Sequence, residues 1–190
     1  MKDYADLNTS QRTRQVQRQA RNLAAEVAKL HDNPSPYLTP AANAKELSET
    51  LDKRRKSLDN ELNMARQAAK AERESAQSEI DALLPSEDTA RGSEIRRYFK
   101  DLGENERHPA LRQAIENGDS ETVAALTNAP SYLSGLSGDN QKWARAHFAA
   151  THAPEATAQL QAIDKSEQLA AQAASDATEY GITHIPQDVL

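Results

Sequence analysis

Apolar residues recur at helical spacing along almost the whole chain. Val16, Ala20, Leu23, Val27 and Leu30 are spaced 4, 3, 4, 3, a heptad seam of the kind that packs one helix on another. Thr9 or Ser10 is the expected N-cap, and the helix should run to His31. It stops ahead of Asp32-Asn33-Pro34-Ser35-Pro36, where two prolines remove backbone donors. Arg14, Arg18 and Arg21 line up at i, i+4 and i+7 on another face, with Arg12 nearby.

The second helix opens with Thr39 as N-cap and Pro40 in the first helical position. It should continue to Leu84, because neither Gly nor Pro occurs between Pro40 and Pro85. Leu47, Leu58, Ala69 and Ile80 recur every 11 residues, and Leu51 and Leu62 begin a second such row that Arg73 interrupts and Leu84 resumes. An 11-residue period is about 3.67 residues per turn, that of a nearly straight or weakly right-handed helix. At ~1.5 Å per residue this helix is about 65 Å long and the first about 33 Å. The loop between them turns the chain back into an antiparallel hairpin. The first helix then covers only the N-terminal half of the second. The stripe from Ala65 to Leu84 must be covered by a later helix of the chain or by another subunit.

From Ser86 the pattern changes to short helices. Ser86 should cap a helix ending at Leu102 before Gly103, with Ile95, Tyr98, Phe99 and Leu102 on its apolar face. His108-Pro109 should open a helix bearing Leu111 and Ile115 and closed by Asn117-Gly118. Ser120 should cap one bearing Val123 and Leu126. After a turn at Ser131–Gly135, Ser137 should cap a helix from Asp139 to His152. Tyr98, Phe99, Tyr132, Trp143 and Phe148, five of the chain's eight aromatic residues, fall in this stretch and are expected to form a docking core, the one compact core of the chain. Pro154 should open a last helix, Leu160, Ile163, Ala170, Ala174 and Ala177 marking one side, ending at Tyr180 with Gly181 as the C′ residue. Its tail would dock or fray. The expected architecture is all-α: a long antiparallel coiled-coil hairpin (1–84), a small helical globule (85–153) and a long Ala-rich C-terminal helix with its tail (154–190).

Composition supports this picture. Leu, Ile, Val and Phe together make up 30 of the 190 residues, whereas Ala alone numbers 33 and Gly only 6. Ala and the straight-chain polar residues are the best helix formers, so a helix-rich protein with a thin core is expected. Residues 1–31 carry a net charge of +3, with six Lys/Arg against three Asp/Glu, and residues 101–190 carry −8, with five against thirteen. That asymmetry fits ends that meet different partners, or each other, as well as it fits solvated helix faces. Cys is absent, which removes disulfides, thiolate metal sites and a Cys nucleophile. No apolar run reaches the ~18 residues of a membrane span, and Met1 to Ser10 lack the apolar stretch of a signal peptide.

Catalytic motifs are near misses. His147 and His152 stand five apart, about 140° around a helix, where a zinc-binding HExxH pair needs i, i+4. Gly135-Leu136-Ser137-Gly138 lacks the final Gly of a nucleophile elbow, Asp139 standing there, and has no strand before it. These features predict a non-enzymatic protein with no cofactor or metal. Arg12, Arg14, Arg18 and Arg21 are candidates for contact with phosphates or an acidic partner.

Arg91-Gly92-Ser93-Glu94-Ile95-Arg96, His108-Pro109-Ala110-Leu111, Ala114-Ile115-Glu116-Asn117-Gly118-Asp119, Thr122-Val123-Ala124-Ala125-Leu126 and Ala129-Pro130-Ser131-Tyr132-Leu133-Ser134-Gly135-Leu136 together resemble a pattern in uncharacterised helical proteins of tailed bacteriophages. The resemblance covers residues 91–136. It implies a virion structure or assembly component of the head, portal vertex or scaffold, assembled in the host cytoplasm. Its partners would be itself and other virion proteins, capsid or portal, with nucleic acid secondary. It carries no catalytic residue across. The alternative is a nucleic-acid-binding or regulatory coiled-coil adaptor that uses the basic N-terminal helix.

Overall fold

A computed structural model describes residues 8–85 and 90–183. Among them the chain is all-α, with helices α1 (Thr9–Asp32), α2 (Pro40–Asp81), α3 (Ala90–Asp101), α4 (Glu104–Glu116), α5 (Ser120–Thr127), α6 (Ser131–Ser134), α7 (Gly138–His152) and α8 (Pro154–Thr183). The expected Ser86 cap and the tail beyond Thr183 lie outside the described residues. The chain divides into two compact units, residues 1–73 with 161–190 (unit 1) and residues 74–160 (unit 2), so the divisions fall inside α2 and α8. The sequence pattern places its boundaries at the ends of those helices, because an unbroken helix carries no local mark of where its packing partners change.

Unit 1 is a three-helix arrangement. Its core joins Val16, Ala20, Leu23 and Val27 of α1 to Leu47, Leu51, Leu58 and Ala65 of α2 and to Ala170, Ala174 and Ala177 of α8. Burying those Leu and Val side chains contributes on the order of 1.5–3 kcal/mol each before entropy is charged. Helix α1 is antiparallel to α2: the Thr9 amide donates to Glu72 at one end, and Glu26 pairs with Arg54 further along. Helix α8 is also antiparallel to α2, with Arg73 meeting Asp164 and Gly181 lying against Leu51. A compact core thus exists outside residues 85–153, contrary to expectation. Of the two covers expected for the Ala65–Leu84 stripe of α2, the later helix of the chain is seen: Ala65 packs in the core that α8 shares, and in unit 2 Ala76 and Ile80 pack with Ala153, Ala156 and Leu160.

Unit 2 gathers Leu84, Phe99, Leu111, Ile115, Val123, Leu126, Leu136, Ala144 and Phe148 into its own core. Helix α4 begins at Glu104, four residues before the expected His108-Pro109 start. Glu106 accepts from the Gly103 amide at 3.0 Å, the returning half of a capping box. Pro109 then lies in the second turn, where its missing N–H leaves one helical carbonyl without a donor. Asp119, not Ser120, caps α5, accepting from the Thr122 amide at 3.0 Å. Asn8, not Thr9 or Ser10, caps α1 through a reciprocal box with Gln11. Thr39 and Ser137 cap α2 and α7 as expected. Gly118, with φ 68°, closes α4 in the left-handed conformation that Gly tolerates. Gly181 does not terminate α8, which continues to Thr183. A Cβ at Gly181 would collide with Leu51, so this glycine serves a close approach of α8 to α2.

Candidate functional site

The four arginines proposed for phosphate contact do not form one face. Arg12 is only 3% exposed, one turn below Val16 on the core side of α1. Its Nη1 lies 3.8 Å from Glu61 and 3.4 Å from Gln15 Oε1. Arg12 therefore works inside unit 1, and only Arg14, Arg18 and Arg21 are exposed. Arg21 Nε also donates to the Gln17 carbonyl.

Other arginines, unremarked in the sequence as sites, do structural work. Arg73, the residue that interrupts the apolar row of α2, donates from Nη2 to Asp164 at 2.6 Å and Glu167 at 2.7 Å on α8. Those hydrogen bonds raise its pKa above the ordinary arginine value, as the Glu26 hydrogen bond does for Arg54. Arg107 reaches from α4 to four carbonyls: Nε donates to Phe99 (2.9 Å) and Leu102 (3.1 Å), Nη2 to Lys100 (2.9 Å) and Nη1 to Gly135 (3.1 Å). It satisfies carbonyls at the C-terminal end of α3 and caps the turn after α6. The Nε2 of His152 lies 2.7 Å from the Ile115 carbonyl of α4, so that nitrogen carries the proton.

The five aromatic residues expected as a docking core separate into two sets. Phe99 and Phe148 are buried in unit 2, at 4% and 3% exposure, whereas Tyr98, Tyr132 and Trp143 stand at 60%, 75% and 36%. Ring spacing explains the split. On α3, Phe99 takes the core-facing position, and Tyr98, about 100° away around the helix, is turned outward. On α7, Ala144 and Phe148 are i, i+4 on the core side, and Trp143 and His147 form the next row out. The indole of Trp143 stacks on the His147 ring, with centroids 5.2 Å apart and planes at 17°, and meets the His108 ring of α4 edge-on at 6.1 Å. Leu133, 40% exposed, adds to the apolar surface of the unit. Arg145 holds Asn128 at 2.7 Å, and Gln141 Nε2 donates to the carbonyls of Leu126 and Ala129, fixing the loop beside α7.

This arrangement presents a partly exposed π-surface on unit 2. Among the described residues no three His, Asp or Glu side chains converge on a metal position, and no helix is long and apolar enough to cross a membrane. The chain matches no family model, no curated protein and no solved structure.

Proposed function

We propose that this chain is a non-enzymatic structural or assembly component that acts by helical packing against neighbouring subunits, in a tailed-phage particle at the head, portal vertex or scaffold. The observation that carries the packing role is the exposed aromatic set of unit 2. Tyr98, Tyr132 and Trp143 are large, rigid and apolar, and such residues are enriched where proteins dock. The phage setting rests on the motifs within residues 91–136 alone. Proteomic mass spectrometry of particles purified from a phage that encodes the chain tests it. The chain is expected in the particles or in their immature precursors; absence from both overturns the reading.

A second reading is supported by Arg14, Arg18 and Arg21, which are exposed along α1. They could contact phosphate as an adaptor's basic stripe, although the net charge of −6 opposes it. Substituting all three by Glu should then abolish salt-sensitive DNA binding. No binding by the wild type at low salt ends that alternative.

A further inference from the structure

Helices α1 and α8 run parallel in unit 1. Thr13 Oγ1 donates to the Ser166 carbonyl, and higher up Gln17, Ala20, Arg21 and Ala24 share an open groove of about 530 Å³ with Ala173, Asp176, Ala177 and Tyr180. Beside its core-facing seam, each helix bears a second row along this groove. On α1 the row is Gln17, Arg21, Ala24 and Ala28; on α8 it is Leu169, Ala173, Asp176 and Tyr180. Both are spaced 4, 3, 4, the period of a helix-pairing seam. The row on α1 carries a cation and the row on α8 an anion. Leu169 is 43% exposed at the end of its row.

We propose that this face is the seat of a second copy of the chain, with α1 and α8 of the two copies laid antiparallel about a two-fold axis through the middle of the groove. The charge pattern selects that occupant. The groove is centred between Ala20 and Arg21 on α1 and between Asp176 and Ala177 on α8. A two-fold axis there sets α1 of one copy against α8 of the other and brings Arg21 level with the partner's Asp176. Lys165 and Asp32 each lie eleven to twelve residues from that centre, so the same rotation brings Lys165 level with the partner's Asp32. Leu169 comes level with the partner's Ala28, both seven to eight residues out. Symmetry repeats each contact, giving four opposite-charge pairs from one register. Short Ala side chains at the centre let the helices approach closely. The inference rests on the packing role proposed above and gives it a first partner.

Sedimentation equilibrium or light scattering of the full chain tests it. The wild type is expected at twice the 20.9 kDa chain mass at micromolar concentration. R21D alone and D176R alone each create two like-charge pairs per dimer. Each should weaken association about tenfold or more, while circular dichroism remains that of the wild type. The double variant R21D/D176R restores the opposite pairing and should recover the dimer. A monomeric wild type, single variants that dimerise like the wild type, or a folded double variant that stays weak each overturn the proposal. A monomer in solution that is nonetheless found in particles removes this dimer and leaves the packing role standing. A dimer missing from mature and immature particles alike does the reverse.

Discussion

Arg107 holds four carbonyls with one guanidinium, so the C-terminal end of α3 and the turn after α6 depend on a single side chain of α4. Hydrogen bonds from a charged donor contribute more than neutral ones, and losing the donor strands several acceptors. Arg107→Ala should therefore lower the unfolding free energy by about 2–3 kcal/mol in urea titrations. Arg107→Lys should recover only part of it, because an ammonium lacks the planar fork. Gly181 acts through space it leaves empty. Gly181→Ala should destabilise by about 1–2 kcal/mol despite the better helix propensity of Ala, since its Cβ collides with Leu51. In a double-mutant cycle with Leu51→Ala the two losses should be clearly less than additive; strict additivity would mean that the close approach is not what makes this position a glycine.

At the scale of elements, the helical periods were legible and their ends less so. The seam from Val16 to Val27 is buried as its spacing predicts, and the apolar side of α8 from Ile163 to Ala177 faces the core. The start of α1 was ambiguous because Asn8, Thr9 and Ser10 are all cap formers; Gln11, three residues after Asn8, was the deciding signal. The burial of Arg12 was legible too, since it stands four residues before Val16 on the same stripe, but basic character masked it. Trp143 was misplaced because aromatic identity outweighed helical phase: Ala144 and Phe148 take the core row, leaving Trp143 on the next one. Arg107 had no local signal, since its acceptors come from α3 and from the turn after α6. The break that Arg73 makes in the row of α2 is filled by its two ion pairs with α8. These groups are partly exposed, so Arg73→Ala should cost only about 1 kcal/mol. The raised arginine pKa means that this contribution is complete below the ordinary arginine value and is lost only as pH climbs through the raised one. The difference between wild type and variant should thus stay level from about pH 7 to about pH 10; a fall within that window would contradict the assignment.

Among the described residues each unit has its own core, and a substitution in one is expected to act first on that unit. Leu58 is 1% exposed in the core of unit 1, and Leu58→Ala should cost about 2–5 kcal/mol there. Trp143, the chain's one tryptophan, lies in unit 2. The variant should therefore move the far-ultraviolet circular dichroism transition more than the transition seen by Trp143 fluorescence; equal shifts would show that both units unfold as one. The function is less legible than the fold, since capping and packing residues dominate the motifs and carry little chemistry. The role proposed for the chain is to occupy a place among neighbouring subunits. Quantitative mass spectrometry of immature and mature particles bears on that most directly: the account expects the chain in at least one of them at a fixed ratio to the major shell protein. Its absence from both, with the chain left wholly in the unassembled fraction, would contradict it.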